Sequence, residues 1–209
     1  MATLQALLAS PDQSVRLKAA LAAGTYPELE YIDILVSQCA HEPDFFVRDT
    51  LSWALMRNDI PAVVERLKIE LNSKNPLAKS QAIHTLSKIG NKANFALITD
   101  EHLFDADDHV ATTAWRAASV LVPETDKPAL VAKLITQLGR GDSDTQFALM
   151  RFLCAIGDQI VEPLTQAAKS EDEIVRTQAE FTLMRFNEMK LEFDKKSNVG
   201  GEGFGLSNL

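Results

Sequence analysis

The sequence predicts an all-α protein built from about six helix pairs in tandem, and three observations carry that prediction. A block of the form Asp-x-x-Val-Arg-x-x-Ala recurs along the chain with anchors at Val15, Val47, Ala78, Val110, Thr145 and Val175, spaced by 32, 31, 32, 35 and 30 residues. Three residues before each anchor stands an acid or its amide: Asp12, Asp44, Asn75, Asp107, Asp142 and Asp172. After each anchor, apolar residues return at the fourth and the seventh or eighth positions, the stripe of a 3.6-residue helix. A fixed period of this length marks a tandem array, in which each unit buries its apolar side only against its neighbours.

Each element follows from local chemistry. Asp or Asn just ahead of an apolar-periodic stretch accepts hydrogen bonds from the free N–H groups of a helix start, worth about 1 kcal/mol each. The stripes are Ala19 and Ala23, Leu51 and Leu55, Ala82 and Leu86, Ala114 and Ala118, Leu149 and Leu153, and Ala179 and Leu183. Alanine at so many of these positions implies that helix backbones approach closely. Ahead of the blocks lie further amphipathic segments at 28–40, 61–72, 92–104, 124–139 and 158–169, with a truncated one near 3–9. Each unit is therefore a first helix, a short turn and a second helix. Gly24, Gly90 and Gly157 follow second helices, where a left-handed cap favours glycine. Pro61, Pro128 and Pro163 lie near the starts of first helices, where the missing donor costs least. Strand signals are absent: no sustained β-branched or aromatic alternation and no Asn-Gly turn.

The pattern of an apolar helix followed by Asp-x-x-Val-Arg-x-x-Ala-x-x-Ala-Leu resembles HEAT repeats, especially the short bacterial kind also found in phycobilin lyases. The resemblance covers residues 1–189, as repeats at about 1–26, 27–60, 61–91, 92–123, 124–157 and 158–189. It is strongest where Val-Arg is kept, at Val15/Arg16, Val47/Arg48 and Val175/Arg176, and weaker at Ala78/Lys79, Val110/Ala111 and Thr145/Gln146. It implies an α-solenoid, an α/α superhelix with first helices on the convex side and second helices lining a concave groove. Such arrays serve many ends, so the fold does not name the function.

Composition narrows the function classes. The 209 residues carry 21 Lys+Arg against 29 Asp+Glu, a net charge of −8. An acidic chain is poorly suited to displace counterions from phosphate, which argues against nucleic acid as the partner. Cys39 and Cys154 form no disulfide framework and no Cys-rich metal site. The N-terminus lacks the basic start and long apolar core of a secretory signal, and no apolar run approaches the roughly 18 residues of a membrane span. The expectation is a soluble, cytoplasmic protein. From Lys190 the chain turns Gly-rich, and Phe193, Phe204, Leu206 and Leu209 make 190–209 either an unstructured tail or a docking segment for self-association.

The second helices carry the candidate contacts. With the apolar stripe turned inward, the sixth position after each anchor reads Leu21, Trp53, His84, Arg116, Arg151 and Phe181. The fifth reads Ala20, Ser52, Ile83, Trp115, Met150 and Glu180, and Phe147 stands at a second position. Trp and Arg are the residue types that most often anchor interfaces, while the alternative for each of Trp53, Trp115 and Phe147 is to fill a gap between neighbouring repeats. Trp53, His84, Trp115, Arg116, Phe147, Arg151 and Phe181 are thus the expected contacts for a protein or peptide, with apolar burial giving affinity and arginine–carboxylate pairs giving register. Arg16, Arg48, Lys79 and Arg176 are expected to pair with the capping acids as an exposed ladder of little individual energy.

Enzyme readings have less support in the residues. A di-iron site of the kind carried by some HEAT-type arrays needs several His-Glu pairs, and only His41-Glu42 has that order; Glu101-His102 is reversed, and His84 and His109 lack an adjacent Glu. A DNA-repair glycosylase of the HEAT-like kind is echoed by Trp53, Trp115, Arg116 and Arg151 with Asp49 near Trp53, but so few cations would track phosphate weakly. A phycobilin-lyase-like activity would share the repeat scaffold and need a chromophore groove. No nucleotide-binding glycine motif occurs, and GGEGFG follows no strand. The sequence therefore favours a non-catalytic adaptor without cofactor or metal, with the glycosylase-like or phycobilin-lyase-like enzyme as the alternative.

Overall fold

A computed structural model describes residues 3–199, with side chains through residue 193. Every regular element among the described residues is a helix. They are α1 (Leu4–Leu8), α2 (Gln13–Thr25), α3 (Tyr31–Cys39), α4 (Phe45–Met56), α5 (Ile60–Leu71), α6 (Pro76–Ile89), α7 (Asp100–Leu103), α8 (Asp108–Leu121), α9 (Lys127–Ile135), α10 (Ser143–Ile156), α11 (Val161–Ala167) and α12 (Glu173–Val199). Three 3-10 turns, Lys92–Leu97, Glu124–Asp126 and Asp158–Ile160, lie between them. The chain divides into two compact units, Met1–Glu124 and Thr125–Leu209.

In the first unit the second helices pack in sequence order, α2 on α4, α4 on α6 and α6 on α8, while α1, α3, α5 and α7 form the other layer. Ala19, Ala23, Ala82, Ala114 and Ala118 are all buried on the facing sides, so the small residues set a close backbone approach. Leu51, Leu55, Leu67 and Leu86 fill the space between layers, each worth about 1.5–3 kcal/mol of burial.

The predicted capping column is fully formed. Asp12, Asp44, Asn75, Asp107, Asp142 and Asp172 each accept a backbone N–H from the first turn of the following second helix, at 2.8–3.0 Å for the shortest bond of each. A second column two residues earlier went unnoticed in the sequence. Ser10, Glu42, Ser73, Asp105 and Ser170 accept the N–H of the cap residue itself, at 2.9–3.2 Å.

The basic residues behind the anchors do not pair with the capping acids as expected. Arg16, Arg48 and Arg176 reach back to carbonyls of their own turn, at Ser10, Glu42 and Ser170, at 3.0, 2.8 and 2.8 Å. Their carboxylate partners, where present, come from the earlier column of the next repeat: Arg16 to Glu42 at 2.9 Å and Lys79 to Asp105 at 2.7 Å. The Arg16–Glu42 pair is buried, with no side-chain exposure at Glu42, and is not a weak surface contact.

Two glycines differ from expectation. Gly90 caps α6 in the left-handed conformation (φ 71°), as its spacing suggests. Gly157 closes α10 at φ 103°, ψ −155°, outside the left-handed helical region. Gly24 lies inside α2, and its reason is contact: a Cβ there would collide with the Trp53 ring and stand 2.9 Å from the Ala54 Cα. Gly24→Ala is expected to lower stability by about 1–3 kcal/mol, because overpacking α2 against α4 outweighs alanine's helix preference of about 1 kcal/mol. Thermal melting checks the loss, and a red shift of tryptophan emission reports the displaced Trp53 ring.

The fourth first helix is not continuous. The stretch expected over 92–104 breaks into the turn Lys92–Leu97 and the short α7. At the break, the Thr99 N–H donates to His102 Nδ1 at 3.0 Å, and the other ring nitrogen meets the Leu71 carbonyl at 3.1 Å. His102 is buried and pins α7 to the end of α5.

In the second unit α9 and α11 pack together, α10 lies against α9, and α12 lies against α10 and α11. Helix α12 runs past the array end expected at 189 as far as Val199. Of the expected tail contacts, Phe193 lies on α12 and is exposed, whereas Phe204, Leu206 and Leu209 lie outside the described residues. Among the described residues no helix is long and apolar enough to cross a membrane.

Candidate functional site

The sixth-position column faces solvent in both units. Leu21, Trp53 and Phe181 are 45, 36 and 41 % exposed, Arg116 and Arg151 are exposed, and His84 is half-buried. The fifth-position column is interior: Ala20, Ser52, Ile83, Trp115 and Met150 are all buried, and only Glu180 reaches solvent. The close approach enforced by the alanine stripe explains the difference between columns. Ser52 Oγ of α4 already stands 3.4 Å from Thr85 Oγ1 of α6, so the neighbouring second helix covers this side.

Trp115 is therefore a core residue and not a surface contact. Its ring has no solvent exposure, and Nε1–H donates to the Leu103 carbonyl of α7 at 2.8 Å. Beside it on the outer side, Arg116 donates through a terminal nitrogen to His84 Nδ1 at 3.1 Å. An arginine can only donate, so His84 carries its proton on Nε2 when this bond is made. Burial, and then the positive charges of Arg116 and Lys88, push the His84 imidazole down to about 4, with Asp49 opposing, so it is neutral at pH 7. Lys88 is itself engaged by Asp49. The first unit thus presents Trp53, the Asp49–Lys88 pair and the His84–Arg116 pair on α4, α6 and α8.

In the second unit, Phe147 of α10 and Phe181 of α12 border one cleft of about 400 Å³ between these helices. Ile174 and Met150 complete its apolar lining, with Ser143, Gln146, Glu173, Thr177 and Gln178 as polar neighbours. Phe147 and Ile174 are each more than half exposed. Gln178 holds the walls in register: its Nε2 donates to the Gln146 carbonyl at 2.9 Å and its Oε1 accepts the Gly139 N–H at 2.7 Å. Arg151, although exposed on α10, does not line this cleft. Sequence reasoning missed Ile174 and Gln178. Position gave no signal for the latter, because the residue directly before the stripe is exposed or half-buried in the other second helices.

The other chemistry-bearing residues have structural roles or remain at the surface. His41 is exposed, while Glu42 next to it turns inward to Arg16. Both thiols are buried, and burial pushes Cys39 up to about 12. Among the described residues no three His, Cys, Asp or Glu side chains converge as metal ligands would.

Neither a protein-family model nor a curated protein sequence matches the chain. Among solved structures it is similar to the complex of CpcE and CpcF of phycocyanin lyase from Nostoc sp. PCC7120, at 18% identity over 88% of each chain and a TM-score of 0.36.

Proposed function

We propose that this protein is a non-catalytic binder of polypeptide, and that the α10/α12 cleft is where an apolar segment of the partner anchors. The observation that supports it most is the pair of exposed phenylalanines, Phe147 and Phe181, framing a formed cleft of about 400 Å³. Large aromatics left half in water at a concave site gain on binding what they would have gained by burial in a core. An amphipathic helix or an extended peptide could insert one or two side chains between them. In the first unit, Trp53, His84 and Arg116 offer a separate surface in which Arg116 has its remaining donors available to a carboxylate.

A second reading is a phycobilin-lyase-like role, because an aromatic cleft also suits a flat conjugated chromophore. One experiment separates the two. Peptides selected from a random library on the wild-type protein are measured by fluorescence polarisation against the Phe147→Ala/Phe181→Ala variant, with biliverdin titrated in parallel. The polypeptide reading expects selected peptides to bind about tenfold more weakly or worse to the variant, equivalent to at least about 1.4 kcal/mol, with helical circular dichroism unchanged. Peptides that bind both proteins equally would move the site elsewhere. Biliverdin binding that disappears in the variant, with no peptide selected, would favour the chromophore reading.

A further inference from the structure

A second cleft, of about 310 Å³, lies in the first unit between α1 and α3. Gln5 and Leu8 of α1 face Asp33, Ile34, Ser37 and Gln38 of α3 across it, with His41 just beyond the end of α3. Asp33, Ser37 and His41 follow one another at four-residue steps, and Ile34 and Gln38 stand one position on from the first two. One side of α3 and the turn after it therefore form a single wall.

Hydrogen bonds at the back of this wall decide what its front offers. His41 Nδ1 lies 3.1 Å from the Ser37 carbonyl, which can only accept, so Nδ1 carries the proton and Nε2 keeps a lone pair. Gln38 donates through Nε2 to Glu42 at 3.0 Å, and Arg16 holds that carboxylate through two nitrogens. The amide is thereby fixed with its nitrogen toward Glu42, which leaves Oε1 as a free acceptor. Asp33 gives Oδ1 to Arg66 Nε and keeps its other oxygen. Among the described residues, His41 Nε2, Gln38 Oε1 and Asp33 Oδ2 have no partner. Arg66 adds no net positive charge, because Asp33 and Glu70 both pair with it. The carbonyl end of α3 also favours a cation here.

Three acceptors in such a setting require a ligand that only donates and carries positive charge. A primary ammonium has three N–H donors, one for each acceptor, and its methylene stem suits Leu8 and Ile34. A guanidinium fits less well, since its planar fork is best met by both oxygens of a carboxylate, and Arg66 already holds one of those of Asp33. We propose that the α1/α3 cleft binds a primary alkylammonium group, of a free amine or a lysine side chain, with Asp33, Gln38 and His41 receiving its N–H donors. The site uses no residue of the α10/α12 cleft and stands or falls separately from the polypeptide reading.

The test uses the full-length chain and follows the Ile34 methyl resonance by NMR. n-Butylammonium chloride is expected to shift it with saturation in the millimolar range, while sodium chloride at equal concentration leaves it in place. Asp33→Ala with His41→Ala, both at exposed positions, should weaken the amine at least about tenfold with helical circular dichroism unchanged. Phe147→Ala/Phe181→Ala should keep the wild-type affinity, and butylguanidinium should bind several-fold more weakly than butylammonium. 1,4-Diaminobutane and acetyl-lysine amide, titrated in parallel, separate the two sources: the tighter of them assigns the site to free amines or to a lysine of a polypeptide. An unmoved Ile34 signal, guanidinium binding as tight as that of the amine, or amine binding that survives in the Asp33/His41 variant would each overturn the proposal.

Discussion

Trp115→Ala is expected to destabilise the protein by about 3–5 kcal/mol, the cost of removing a fully buried large aromatic from a packed core. The ring has no solvent exposure, and its N–H satisfies the Leu103 carbonyl, so truncation both opens a cavity and strands an acceptor. Trp115→Phe should cost less, since most of the packing survives and the lost hydrogen bond contributes about 1 kcal/mol. Urea unfolding of the two variants checks the order. Arg116→Ala, one residue away on the exposed side, should move the unfolding midpoint little, which makes it the clean probe of the surface that Trp115 cannot be.

The second large effect belongs to Glu42. Its carboxylate is fully buried and receives Arg16 through two nitrogens at 2.9 Å each, Gln38 at 3.0 Å and the Asp44 N–H at 3.1 Å. Glu42→Ala leaves the buried Arg16 guanidinium without its counter-charge and is expected to cost about 3–5 kcal/mol. Replacing both partners, Arg16→Met with Glu42→Leu, should cost less than the single change, because no unpaired charge then stays inside.

The same site has a pH signature. Burial pushes the Glu42 carboxyl up, but hydrogen bonds from Arg16, Gln38 and the Asp44 N–H, with the charge of Arg16, outweigh it and hold it below its ordinary value of 4.5. A depressed folded value means that the unfolded chain takes up the proton first as pH falls. The contribution of Glu42 is therefore complete above 4.5 and is lost below it, through the folded value. Midpoints of wild type and Glu42→Gln measured from neutral pH downward should converge in that acid range. A gap that stays constant would assign the stabilisation to shape rather than charge.

The features legible in the sequence are those that a single helix decides. Capping depends on one side chain and the three residues after it, so Asp12 through Asp172 could be read without knowing any neighbour. The inward stripe depends only on helical period. The fifth-position column was misread because its burial is set by how near the next helix comes, and the alanines that bring it near lie on a different face. Trp115 was assigned to the surface for that reason. Glu42 was hidden because its partner lies 26 residues earlier and the His-Glu order drew attention to a metal reading. His102 likewise looked like a reversed ligand pair, whereas it closes the turn that splits the fourth first helix. Phe147 and Phe181 were singled out as candidates by position and composition. That they border one cleft, with Ile174 and Gln178, follows from the packing of α12 on α10, which periodicity does not specify.

The central functional claim is that a polypeptide segment seats between Phe147 and Phe181. Methyl-labelled methionine NMR tests it directly, since Met150 lines the cleft and Met56 lies on α4 of the first unit. On titration with a cleft-selected peptide, the Met150 methyl resonance should shift with the same affinity as polarisation reports, while Met56 stays in place. An unmoved Met150 signal at saturating peptide would contradict the claim.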